Sequence, residues 1–279
     1  MLSKEQQEQY RRDGYLVIRG FKDAASIAAL RARALQIVDD FNPAEGSAIF
    51  TTQNQAAASD DWFLGSDSTV RCFFEEKAFA EDGSLKQAKA LSINKIGHAM
   101  HDLDPVFEAF SRDTRLAAIA RDIGLTDAKV WQSQYIFKQP GIGGEVRWHQ
   151  DATFFDTAPV SVTTFWFALE AATVANGCLW VEPGGHTGPM RERFVRDGDA
   201  ISMEHLDDMP WPDNSVAVPL EAGAGDLVIF HGLLPHYSAP NTSPVSRHAF
   251  TLHATDGATA YSPRNWIQRG DALPVRGFE

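Results

Sequence analysis

Val-Trp-Gln-Ser-Gln-Tyr-Ile-Phe-Lys, residues 130–138, is where the periodicity of this chain changes. Val130, Gln132, Gln134, Ile136 and Lys138 alternate with Trp131, Ser133, Tyr135 and Phe137. A period of two sends successive side chains to opposite faces of a strand. More β-prone runs follow at 145–151, 161–170, 178–182, 216–220, 226–231 and 246–254. Turn material separates them, including Asn176-Gly177, Pro183-Gly184-Gly185 and Ala222-Gly223-Ala224-Gly225. Short strands with closely spaced turns predict an antiparallel sandwich or barrel, not a parallel sheet with crossover helices.

Upstream of this region the pattern is mainly helical. Ser3 and Gln6 have the spacing of a capping box, and Asp13-Gly14 ends the helix they open. Tyr15 to Ile18 is a short strand. A second helix is expected over 23–41, with Asp23 as its cap and Ile27, Leu30, Ala34, Leu35, Val38 and Phe41 at helical spacing. Residues 42–70 lack periodicity and read as an irregular excursion, a candidate cover for a site. Residues 71–74 suggest a strand, and 85–124 read as helical, with Asp104-Pro105 at a helix start. The expectation is one domain over 1–279. It is mostly β with flanking α, helix-rich to about residue 125, with the β core at about 126–270.

Composition sets the outer limits. The chain has 279 residues, 25 Lys+Arg against 37 Asp+Glu, and a net charge of −12. With 44% apolar and 22% charged residues it has the make-up of a globular protein. The acidic balance disfavours nucleic acid and anionic membranes as partners, since both attract basic proteins. No run of about 18 apolar residues is present to span a bilayer. The polar start and lone Cys72 and Cys178 fit a cytoplasmic protein without a disulfide framework.

The chemistry is concentrated in Trp148-His149-Gln150-Asp151. On a strand, His149 and Asp151 share a face, so an imidazole and a carboxylate stand side by side. His236 lies just past the apolar run 226–231, and Arg247 follows eleven residues later. Two His and one carboxylate with open positions form the facial triad of non-haem Fe(II) oxygenases. Such a metal leaves room for a 2-oxo acid and for O2. A nearby guanidinium suits the far carboxylate of 2-oxoglutarate, because its fork matches a carboxylate with two hydrogen bonds. The competing reading is a jelly-roll sensor or pseudoenzyme that holds a metal without turnover.

DGYLVIRGF (13–21), RCFFEEKAF (71–79), SINKIGHAMHDLDPVF (92–107), QSQYIFKQPGIGGEVRWHQDATFF (132–155), ANGCLW followed by PGGHT (175–187) and PHYSAPNTSPVSRHAFTLH (235–253) form one specific set. On these stretches the chain resembles the phytanoyl-CoA dioxygenase family of Fe(II)/2-oxoglutarate oxygenases, and within it the branch of phytanoyl-CoA dioxygenase domain-containing protein 1. The resemblance implies a double-stranded β-helix, the jelly roll of the cupin type, with helices packed outside. It implies that His149, Asp151 and His236 hold Fe(II), and it selects His236 over His231 as the distal ligand. It places 2-oxoglutarate against Arg247 and Ser238, with Lys95, Gln134 and Trp166 lining the same pocket. The implied reaction decarboxylates 2-oxoglutarate to succinate and CO2 with O2, coupled to hydroxylation or a related C–H oxidation of a small molecule. The other seven His, including His98, His101, His248 and His253, are read as structural or surface residues.

Overall fold

The computed structural model describes residues 1–51, 61–213 and 215–279. Helix α1 (Lys4–Asp13) starts at the expected capping box: Ser3 Oγ accepts from the Gln6 amide and the Gln6 side chain answers at the Ser3 N–H. It stops at Gly14, whose φ of 80° is the left-handed conformation that glycine adopts without Cβ strain. Strand β1 (Tyr15–Ile18) and helix α2 (Ala24–Asp40) follow, the latter capped by Asp23 and burying Ile27, Leu30, Ala34 and Val38.

The described residues of the excursion after α2 form small elements, a 3-10 turn (Pro43–Glu45), strand β2 (Ile49–Phe50) and helix α3 (Asp61–Leu64). The proposed cover therefore lies partly outside the described residues, and its two described flanks carry Phe50 and Phe63. Strand β3 (Val70–Glu75) agrees with the sequence reading.

Strand β4 (Ile93–His98) corrects it. The helical assignment of 85–124 holds only for α4 (Met100–Leu103), α5 (Pro105–Ser111) and α6 (Thr114–Asp122). Ile93 to His98 instead pairs antiparallel with β3 on one side and β5 (Ala128–Ile136) on the other. Tertiary pairing on both edges outweighs a weak local helical preference.

The remaining strands are β6 (Val146–His149), β7 (Thr157–Ala158), β8 (Thr163–Ala168), β9 (Leu179–Val181), β10 (Glu192–Asp197), β11 (Ala200–His205), β12 (Val218–Leu220), β13 (Leu227–His231), β14 (His236–Ser238), β15 (Ala249–Asp256) and β16 (Ala260–Tyr261). They build a jelly roll. The large sheet runs β1-β13-β8-β15-β5-β4-β3-β2, antiparallel except for the β2–β3 pair. The small sheet runs β12-β9-β14-β6. The first 125 residues thus supply four strands of the large sheet as well as the helices.

The two faces of the large sheet divide the core. Tyr135, Phe165, Phe167, Ile229, Phe250 and Leu252 point outward against Leu30, Ala34, Phe107, Phe110 and Ile119 of the helices. Phe250 meets Phe107 and Phe110 at ring separations of 5.3 and 5.6 Å. The opposite parity brings Gln132, Gln134, Thr164, Trp166, Thr251 and His253 to the inner face, where they wall a cavity. Hydrophobic burial against the helices therefore fixes which side chains the strands turn inward.

Candidate metal centre

Strands β6 and β14 are neighbours in the small sheet, and His149 pairs directly with His236 across them. Their rings lie 4.0 Å apart between centroids. Asp151 follows β6 in a 3-10 turn, Asp151–Thr153, that swings its carboxylate under both rings. Asp151 Oδ1 is 3.6 Å from His149 Nε2 and 3.7 Å from His236 Nε2. One ligand atom from each of the three lies within 4.8 Å of the others.

The ring orientations are determined by backbone. His149 Nδ1 lies 2.8 Å from the Arg147 carbonyl and His236 Nδ1 lies 3.0 Å from the Leu234 carbonyl. A carbonyl can only accept, so Nδ1 carries a hydrogen in each ring and Nε2 is the nitrogen turned toward Asp151. Burial, reinforced by the neighbouring His236, lowers the His149 imidazole to about 3, so it is neutral at physiological pH. Burial alone would raise the Asp151 carboxyl, but His236 and His253 beside it outweigh that and hold it well below the usual range. Two imidazole nitrogens and an ionised carboxylate on one side of an open space are the donor set that Fe(II) takes.

Two residues that the sequence reading left out position this carboxylate. Thr164 on β8 donates its hydroxyl to Asp151 Oδ2, and His253 Nε2 on β15 stands 3.5 Å from the same oxygen. His253 was read as structural. Its inward parity on the strand that follows Arg247 was the available signal. Of the two readings open for His98 and His101, structural or surface, the structure takes the structural one. His98 ends β4, His101 lies in α4, and both are fully buried, not on a helix surface.

Arg247 is 1% exposed and reaches the same cavity. Its Nε donates to the Gly177 carbonyl at 3.1 Å and its Nη2 to Ser238 Oγ at 3.2 Å. Its Nη1 is buried and, among the described residues, has no hydrogen-bond partner. Burial lowers the guanidinium to about 10, which leaves it cationic at neutral pH. The Trp166 indole N–H is likewise buried and unpartnered. Gln134 donates to Gln132 at 2.7 Å. Lys95 on β4 sits with its ammonium 3.5 Å from the Phe50 ring centre, and burial drives it well below its usual range. All eight residues named from the sequence (His149, Asp151, His236, Arg247, Ser238, Lys95, Gln134 and Trp166) line this one cavity of about 150 Å³. At about 30 Å³ per water in the liquid, that is room for roughly five waters, enough for a small diacid beside a metal.

The model of the phytanoyl-CoA dioxygenase (PhyH) family matches residues 10–249. The chain belongs to the phytanoyl-CoA dioxygenase family. It is 46% identical over 269 residues to phytanoyl-CoA dioxygenase 1 of Oryza sativa subsp. japonica, covering 96% of this chain and 94% of the relative. It is 42% identical to phytanoyl-CoA dioxygenase domain-containing protein 1 of Bos taurus, covering 98% and 97%. Among solved structures it resembles the non-haem alpha-ketoglutarate-dependent carbocyclase SnoK of nogalamycin biosynthesis, with a TM-score of 0.65, 21% identity and 99% and 96% of the two chains covered. That likeness supports the jelly-roll fold. The chain is a 2-oxoglutarate-dependent non-haem iron dioxygenase that works with Fe(II), 2-oxoglutarate and O2.

Proposed function

We propose that His149, Asp151 and His236 hold the iron, that Arg247 with Ser238 binds the far carboxylate of 2-oxoglutarate, and that turnover hydroxylates a small molecule. The observation that carries this is the Arg247 Nη1 donor, buried and unpartnered in the cavity that holds the His/Asp/His cluster. A buried donor without an acceptor costs on the order of 1–3 kcal/mol, so such a group is there to meet a ligand. Bound there, Fe(II) and 2-oxoglutarate supply the oxidative chemistry: one oxygen atom of O2 ends in succinate, the other in the hydroxylated product, and CO2 leaves.

The chain's own residues supply orientation. Ser238 and the Gly177 carbonyl fix the guanidinium so that its free edge faces the cavity. Thr164 and His253 fix the Asp151 carboxylate. Trp166, Gln134 and Lys95 complete the walls around the co-substrate. Phe63, Phe155 and Trp266 close the cavity with apolar surface, which excludes water and strengthens each polar contact inside.

Release of succinate from 2-oxoglutarate by the Fe(II)-loaded protein, measured without added substrate, tests the reading. A slow uncoupled rate is expected. Iron and 2-oxoglutarate binding without succinate would favour a metal-binding sensor, and failure to retain iron would end both readings.

A further inference from the structure

We infer that Arg147 is the substrate-reading residue of this oxygenase and that its substrate is a small monocarboxylate. This rests on the iron and 2-oxoglutarate assignments above. Arg147 stands two residues before His149 on β6, so the pleat turns it to the same face as the metal cluster. It lines the cavity, yet it is exposed, and among the described residues its guanidinium has neither a hydrogen bond nor an ion pair. The other cations of the lining, Lys95, Lys138 and Arg247, are buried. Arg147 is therefore the one cation of the wall that a molecule arriving from solvent meets.

Position and valence narrow the ligand. With about 3.4 Å of rise per residue, Arg147 and His149 stand about 7 Å apart along the strand. A small acid held by this guanidinium is therefore within reach of the iron. Glu192 lines the same cavity and shares its strand face with buried Phe194, so the wall also carries a carboxylate. One exposed cation in a wall that also carries the carboxylates of Glu75, Asp151 and Glu192 suits a single negative charge and repels a polyphosphate. A carboxylate also matches the guanidinium fork with two hydrogen bonds, and this specifies orientation as well as charge.

The test uses the full chain loaded with Fe(II) and 2-oxoglutarate, and a library of short-chain acids, their amides and their CoA thioesters. Binding is read without O2 as the concentration that half-saturates the shift in melting temperature. Turnover is read as stimulated succinate release. Free acids are expected to bind and stimulate, their amides not. Arg147→Gln is expected to weaken acid binding by roughly 10- to 100-fold, the loss of a charge-assisted pair, and Arg147→Lys to recover part of it. Iron content and melting temperature of each variant report whether the site is intact. Amides that act as well as acids, CoA thioesters that outbind the free acids, or unchanged acid binding in Arg147→Gln would each overturn the proposal. Uncoupled succinate release by the wild-type protein separates the two layers. If it is present while the acids fail, only the substrate assignment falls; if it is missing, the underlying reading falls with it.

Discussion

Replacing Arg247 by Leu removes a buried cation that lines the cavity of the metal cluster with one nitrogen unpartnered among the described residues. The guanidinium makes two internal hydrogen bonds, at 3.1 Å to the Gly177 carbonyl and 3.2 Å to Ser238 Oγ. Losing them leaves two acceptors short of a donor, at about 1 kcal/mol each. Removing a buried charge offsets much of that, because its desolvation is unfavourable. The net change in fold stability is therefore small. The co-substrate has no such compensation. Two charge-assisted hydrogen bonds to its carboxylate are worth about 3–4 kcal/mol together. At about 1.4 kcal/mol per decade, 2-oxoglutarate should bind two to three orders of magnitude more weakly. Arg247→Lys keeps the charge but not the fork, so about tenfold is expected. With the guanidinium at about 10, only about 1% is uncharged at pH 8, so Arg247 adds no pH dependence below about pH 9. The KM for 2-oxoglutarate in succinate release, with anaerobic titration of iron-loaded protein, gives the answer. A rise of less than about threefold in a folded Arg247→Leu protein would refute the reasoning.

Four further outcomes are expected. His149→Ala should abolish both iron retention, measured by metal analysis after desalting, and succinate release. Thr164→Val strips the hydroxyl from Asp151 Oδ2 and should weaken iron binding by roughly 10- to 100-fold, as other losses of groups that orient metal ligands do; competition with a chelator measures it. Phe250→Ala, at a fully buried position against Phe107 and Phe110, should cost about 3–5 kcal/mol in urea unfolding. Burial lowers His231 and His248 to about 4, below the unfolded value near 6.5. The unfolded chain then binds more protons between those values, so metal-free stability should fall as pH drops from about 6.5 to 4. A melting temperature that is flat across that window would contradict the assignment.

The β-rich half was legible because one face of its strands is buried under helices and the other walls a cavity, so alternation survives in residues 130–138. The metal cluster was legible because two of its ligands are two residues apart, although β6 ends at His149 and the 3-10 turn after it, not the strand pleat, brings Asp151 alongside. Strand β4 was not. Its Ile93-Asn94-Lys95-Ile96-Gly97-His98 is flanked by helix-forming sequence, and only pairing with β3 and β5 makes it a strand. The β10–β11 hairpin was missed although Gly198-Asp199 marks its turn, with Gly198 at φ 62°. Thr164 and His253 were invisible as a pair because they come from β8 and β15, and only the folded sheet brings both to one oxygen of Asp151.

The hydrogen bonds at the metal cluster divide by origin. Each histidine is braced by a carbonyl two residues earlier in its own segment, Arg147 for His149 and Leu234 for His236. The carboxylate is braced from across the sandwich, by the large-sheet strands β8 and β15. An ion bound by all three therefore ties β6 to β14 within the small sheet, and Asp151 carries that tie on to the large sheet through Thr164 and His253. Metal loading is a mechanical event as well as a chemical one. Without the ion, β6 and β14 lose that shared anchor, and their amides should exchange hydrogen sooner than those of the helix-covered β8 and β15.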